Sequence, residues 1–310
     1  MPLDPKVREL LNIMSSMSNI NENDPFKFRK ERNEVFIKLF NKNKVELREV
    51  KDIEINTRDG ALKARVYMPF ESRNPLPVTV YFHGGGFVYG NRDTHDSVCR
   101  LISRLSGSIL VSVDYRLAPE NKFPKAVYDA YDSVKWVSNN ADKLNGDNNR
   151  IFLAGDSAGG NLCSAVSLIS RDNKEELVKY QVMIYPVVNF KDSSPSMFEF
   201  SEGYFLTRER MNWYNKQYFE SEEDCFNPLA STINADLRGL PETLVITAEY
   251  DPLRDQGETF AHLLKLNGVK ASSIRYNGVI HGFVSFHDYL YAGKEAIANI
   301  SGSVRAKGEH

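Results

Sequence analysis

Cysteine is scarce in this chain. Cys99, Cys163 and Cys225 are odd in number, widely spaced and free of any CxxC pair, so neither a disulfide framework nor a zinc site is expected. Cys99 and Cys163 fall among Val, Leu and Ile in helix-like patterns, where a cysteine reads as a small apolar core residue. An excess of one charge is lacking too. Lys and Arg number 39 against 41 Asp and Glu, a formal charge of −2, which removes the electrostatic reason to expect nucleic acid or an anionic membrane as partner. No apolar run approaches the roughly 18 residues of a membrane span. The opening Met1-Pro2-Leu3-Asp4-Pro5 has no basic stretch leading into an apolar one, so no secretory signal is expected and the cytoplasm is the expected location. Internal repeats and low-complexity linkers are absent from the sequence.

What is present is an ordinary globular balance, 42% hydrophobic and 26% charged. At 310 residues the chain has room for one large α/β domain with an added lid, and enough core to fold without covalent staples. Two helices are expected in residues 1–45. Asp4-Pro5 opens the first, with Val7, Leu10, Leu11 and Met14 on one face; Asp24-Pro25 opens the second, with Val35, Phe36, Leu39 and Phe40. A hairpin follows, turning at Asp59-Gly60 between alternating runs around 53–55 and 62–67.

From residue 77 onward, short Val- and Ile-rich runs at 77–82, 109–113, 151–154, 182–185, 244–248 and 271–276 alternate with amphipathic helices. One helix ends at Gly107, another opens at Pro124, a third closes at Asn267-Gly268, and a last is expected over 289–300. Buried strands alternating with helices predict a mainly parallel sheet covered on both faces. Residues 190–226 break the alternation. Ten of these 37 residues are aromatic against 11% in the whole chain, which suits a lid over an apolar pocket.

Two glycine-rich strings carry chemistry. Gly155-Asp156-Ser157-Ala158-Gly159-Gly160 joins a buried strand to a helix, and a serine on so tight a turn needs small neighbours on both sides. The turn lifts the Ser157 hydroxyl to a helix N-terminus, where amides favour negative charge. His83-Gly84-Gly85-Gly86-Phe87 follows the strand 77–82 and exposes amides without side chains in the way. An acyl-transfer oxyanion needs such donors, and Gly85, Gly86 and Ala158 are expected to supply them while Gly84 shapes the turn. A phosphate cradle would want Gly-Lys-Ser/Thr next, where this chain has Phe87-Val88-Tyr89.

A serine needs a base, and there are six histidines. His310 is terminal, His95 and His262 lie in or beside helices read as surface, and His83 is expected to hold the glycine loop. His281, after the last strand, is the expected base, with His287 as its rival. Asp251, after the strand 244–248, is the expected carboxylate partner; Glu249 and Asp255 compete, and Asp255 reads as a helix N-cap. Phe87, Tyr185, Phe205, Leu206, Ile280 and Phe283 are expected pocket walls by position.

These motifs, with Asp114-Tyr115-Arg116-Leu117-Ala118-Pro119-Glu120, Phe123-Pro124, Asp251-Pro252-Leu253-Arg254-Asp255 and His281-Gly282-Phe283, resemble those of the hormone-sensitive-lipase-type esterases of the α/β-hydrolase superfamily, in the same order. The resemblance implies an eight-stranded, mostly parallel α/β-hydrolase sheet flanked by helices, covering 46–189 and 227–310. It implies a helical cap from residues 1–45 and 190–226, action on small carboxylic esters, no cofactor, no metal and a homodimer through the strand 271–276. Arg116 and Glu120 are expected to hold the loop behind the nucleophile. Gln256 departs from the acidic residue that relatives often carry. An amidase with the same triad, a long-chain lipase and a non-catalytic small-ligand receptor are the other readings.

Overall fold

The computed structural model describes residues 1–16 and 24–309; His310 and the join between the two N-terminal helices lie outside them. Eight strands form one sheet: β1 (Glu49–Thr57), β2 (Gly60–Met68), β3 (Leu76–Phe82), β4 (Ile109–Val113), β5 (Gly146–Asp156), β6 (Tyr180–Ile184), β7 (Glu242–Tyr250) and β8 (Ala271–Ile280). Their order is β1-β2-β4-β3-β5-β6-β7-β8. Only β1–β2 and β2–β4 are antiparallel. The hairpin closes with Thr57 opposite Gly60, whose φ of 118° few side chains tolerate. Every residue of β4 and β6 is buried, which is why those segments read as mostly apolar runs, broken only by Ser112 and Gln181.

The strand order dictates where the helices go. β3 to β4 steps one way along the sheet and β4 to β5 steps back, so right-handed crossovers put α3 (Asp96–Ser106) and α4 (Lys125–Asn140) on opposite faces. α9 (Tyr291–Gly308) packs on α3, and α5 (Ala158–Asp172) packs on α4. α8 (Arg254–Leu266) covers β7 and β8. α3 stops where the sequence says it should: Gly107 takes φ 73° and donates its amide to the Ser103 carbonyl.

Several strand and helix ends run past the expected limits, among them β1 (Glu49–Thr57), β7 (Glu242–Tyr250) and β8, which reaches Ile280. β5 starts at Gly146 because Asp147, Asn148, Asn149 and Arg150 continue the strand in polar, largely exposed form. α9 reaches Gly308, its last turn carrying Arg305 and Lys307, which suit a helix C-terminus but have no apolar period to announce them.

The N-terminal helices are α1 (Pro5–Ser16) and α2 (Pro25–Phe40). Asp24 caps α2 by accepting the amides of Phe26 and Lys27, and Phe28, Phe36 and Phe40 are its buried face. α6 (Pro195–Glu199) and α7 (Arg208–Tyr218) arise between β6 and β7. α2 and α7 meet through aromatic rings: Phe28 lies 4.7 Å from Trp213 and 6.2 Å from Tyr214, centroid to centroid. Arg29 binds Glu120 through two nitrogens and also donates to the carbonyls of Val88 and Ala118. Glu120 thus anchors α2, not the loop behind Ser157, while Arg116 pairs with Asp129 of α4.

Candidate active site

Four loops converge at the carboxyl ends of β3, β5, β7 and β8, where open α/β sheets gather their functional residues. The first is the turn from β5 into α5. Ser157 sits in it at φ 55°, ψ −115°, a strained conformation for a non-glycine residue. The turn is too tight for side chains around it. A Cβ on Gly159 would stand 1.8 Å from the Phe82 carbonyl oxygen, and one on Gly155 would stand 2.4 Å from that of Gly159.

His281 follows β8 and brings Nε2 to 3.0 Å from the Ser157 hydroxyl. Its Nδ1 lies 2.7 Å from Asp251 Oδ2, and Asp251, after β7, is fully buried. The other Asp251 oxygen accepts the Leu253 amide at 2.8 Å, so the carboxylate is held by the start of α8. The Tyr185 ring backs the imidazole at 4.7 Å. The rival groups point elsewhere. His287 meets the Ser97 hydroxyl at 2.8 Å, and Glu249 binds the N-terminal amine and the Gly278 amide. Asp255 is not the N-cap of α8, which begins one residue earlier; it accepts the Ser196 amide at the start of α6.

The glycine loop after β3 faces Ser157. Gly85 and Gly86 adopt φ of 123° and 60°. A Cβ on Gly85 would meet the Tyr89 carbonyl at 2.1 Å, and one on Gly86 the Tyr214 ring at 2.6 Å. The amides of Gly85, Gly86 and Ala158 donate to no acceptor among the described residues. That of Gly84 does: it binds Asp156 Oδ1 at 2.9 Å. Gly84 therefore shapes the loop and has no free donor to offer an oxyanion.

Asp156, the residue before the serine, is the member of the site that the sequence reading missed. Besides the Gly84 amide, its Oδ1 takes the Tyr81 hydroxyl at 2.8 Å and lies 3.3 Å from His95 Nε2. Burial alone would push its pKa up; His95 and the Tyr81 hydroxyl outweigh that and carry it below the usual carboxylate range. His95 itself is 3% exposed, not a surface residue, because α3 starts over the sheet at this point. A carboxylate directly after the buried run 151–155 was the available signal, since such a group must find donors there.

His83 is fully buried, with Nδ1 2.8 Å from the Gly84 carbonyl and its ring stacked at 4.4 Å on Tyr115, as a loop-holding residue would be. Burial and then His95 push its pKa down to about 3, so the ring stays neutral. Gln256 is also structural. Its side-chain oxygen accepts the amides of Val188 and Asn189 at 2.7 and 2.9 Å, fixing the chain as it leaves β6.

The loops open into a cavity of about 900 Å³, its mouth included. Phe87, Tyr185, Phe205 and Leu206 line it, together with Tyr214, Met211 and Phe190 from the segment between β6 and β7. Ile280 and Phe283 do not. Both are fully buried behind this surface, Phe283 against Tyr185 and Tyr276, and Gly282 and Ser285 reach the cavity instead. Among the described residues no cluster of three or more His, Cys, Asp or Glu could hold a metal ion, and no helix is long and apolar enough to cross a membrane. All three cysteines are free and buried.

Comparison with known proteins identifies the fold and the family. A family model described as alpha/beta hydrolase fold matches residues 79–285. An arylesterase of Saccharolobus solfataricus is 42% identical over 92% of this chain and 93% of its own. Carboxylesterase NlhH of Mycobacterium tuberculosis is 39% identical over 76% of this chain and 75% of its own. The structure of a hyperthermophilic esterase from the archaeon Pyrobaculum calidifontis superposes with a TM-score of 0.94 at 48% identity, covering 99% of both chains. A match across most of the chain, on a sheet of this order, identifies the chain as a member of the α/β-hydrolase fold family, in its hormone-sensitive-lipase-type carboxylesterase group.

Proposed function

We propose that this chain hydrolyses short- to medium-chain carboxylic esters through an acyl-enzyme on Ser157. That it is a carboxylic ester hydrolase accords with its family and its esterase relatives; the residue roles and the substrate range are our reading. One observation carries the mechanism: the unbroken line from Ser157 Oγ to His281 Nε2 (3.0 Å) and from His281 Nδ1 to Asp251 (2.7 Å), beside three amides that bind no acceptor among the described residues.

His281 takes the serine proton as Oγ attacks the ester carbonyl, and Asp251 stabilises the imidazolium. The Gly85, Gly86 and Ala158 amides receive the oxyanion. The alcohol leaves with the proton from His281, and a water repeats the sequence on the acyl-enzyme. The chemistry needs no metal, so chelators leave turnover unchanged. Residues 1–45 and 190–226 act as a cap, and the modest apolar cavity beneath it suits small acyl groups better than the long chains of a triglyceride. Three free, buried cysteines suit a reducing compartment such as the cytoplasm. The exposed edge of β8 is where a second copy would pair in a homodimer, which light scattering tests.

The decisive experiment is Ser157→Ala assayed on p-nitrophenyl butyrate, with fluorophosphonate labelling of the native protein. Loss of both turnover and label is expected; turnover near the native level would end the assignment. Comparing an ester with its isosteric amide separates esterase from amidase, and reversible binding without label would favour a receptor.

A further inference from the structure

Among the described residues, the cavity is lined by one carboxylate and two guanidinium groups. The carboxylate is Asp156, already engaged by Gly84, Tyr81 and His95. The guanidinium groups belong to Arg32 of α2 and Arg210 of α7.

Arg32 contrasts with Arg29, three residues earlier on the same helix. Arg29 spends its donors on Glu120 and two carbonyls. Arg32 has no carboxylate or carbonyl partner among the described residues. Its Nε is buried without an acceptor. Its guanidinium meets only ring faces: Phe205 at 5.4 Å, Phe36 at 5.9 Å and Tyr89 at 6.0 Å. Rings stabilise a cation's charge, but they leave the fork of N–H donors without the planar acceptor it matches. The ring of Phe205 also comes close to Gly282, next to His281, so Arg32 stands on a wall that continues to the reacting groups.

We propose that Arg32 receives an anionic group carried by the substrate, so that the esters this protein turns over include ones bearing a carboxylate on the acyl or the alcohol portion. Arg210 lines the same cavity, and the proposal does not depend on it. The inference rests on the Ser157 reading and narrows its substrate class. A carboxylate is the acceptor an unpaired guanidinium fits best, through two parallel N–H···O bonds.

The test compares charged and neutral esters of like shape by pH-stat: para-acetoxybenzoate against phenyl acetate, and monoethyl adipate against ethyl hexanoate. The quantity read is the ratio of kcat/KM for the charged ester to that for its neutral partner. Arg32→Gln is expected to lower this ratio about tenfold in at least one pair, the loss typical of one charge-assisted hydrogen bond. Arg32→Lys, which keeps the charge but not the fork of donors, should recover only part of it, whereas a purely structural role would move both esters together and leave the ratio alone. Ratios within twofold of native in both pairs would overturn the proposal. So would native enzyme that turns over the neutral esters and neither charged one. Failure on the neutral esters as well would instead overturn the esterase reading, and this inference with it.

Discussion

The floor and the roof of the cavity are built by different physics. The floor is backbone: Gly159 against the Phe82 carbonyl, Gly85 against the Tyr89 carbonyl, and Ser157 held at positive φ between β5 and α5. The roof is side chains: Phe28 on Trp213, Phe87 stacked on Tyr218 at 3.8 Å, and Arg32 over Phe205. Contacts between backbones admit no substitute, because any added atom overlaps something that cannot move. Contacts between side chains can be rebuilt with other side chains of similar volume. In the proposed mechanism the floor carries the reaction, and the roof is where substrate range can vary.

The largest break in this contrast is on the floor. His281→Ala should lower kcat by about 10⁴-fold or more, read in steady-state assays, while leaving the fold intact by circular dichroism. Gly159→Ala should cost about 4 kcal/mol or more of stability, seen as insoluble expression or a much lower Tm, because the new methyl would meet a carbonyl at 1.8 Å. Asp156→Asn weakens the anchor of the glycine loop. It should lower kcat about ten- to a hundredfold with little change in KM, since the loop's donors act on the transition state.

On the roof, Arg29→Ala should cost only about 1 kcal/mol, because Glu120 is more than a third exposed and the pair is screened by water. Calorimetry should show a Tm lower by only about 1–2 °C, since the shift per kcal/mol shrinks with chain length. The smallest effect is spectroscopic. With its folded pKa near 3, below the usual histidine range, His83 binds a proton more weakly in the native state than when unfolded. Its contribution to stability is thus intact above about pH 6.5 and is lost as pH falls toward 3. An NMR titration should show one imidazole unchanged from pH 8 to about pH 5, where an ordinary histidine is almost fully protonated. An imidazole assigned to His83 that titrates near 6.5 would contradict its burial.

Much of the floor was readable in advance for the same reason that it is rigid. A strand, a glycine-flanked serine and a helix leave one local geometry, so the Ser157 turn and the glycine loop stood out in the residue string. Asp156 did not, because its role depends on Tyr81 and His95, which only the packing of β3 against β5 and the placement of α3 bring near. His95 resembled a surface residue until α3 was seen to begin over the sheet. Ile280 and Phe283 flank His281 in the sequence, yet the turn that follows β8 packs both into the core and leaves His281 and Gly282 facing the cavity.

The roof was legible only as composition. Ten aromatic residues in 190–226 announced a lid without saying which rings would meet which. That Phe28 of α2 reaches Trp213, or that Arg32 has no anion among the described residues, depends on two segments far apart in the chain meeting above the sheet. By itself, then, the chain determined its strands and helices, the two glycine turns and the chemical types at their tips, since each follows from short-range sterics and hydrophobic period. Which donors remained free, which charges were paired and what lined the cavity was decided by the tertiary structure alone, because an unsatisfied group is defined by all its neighbours at once.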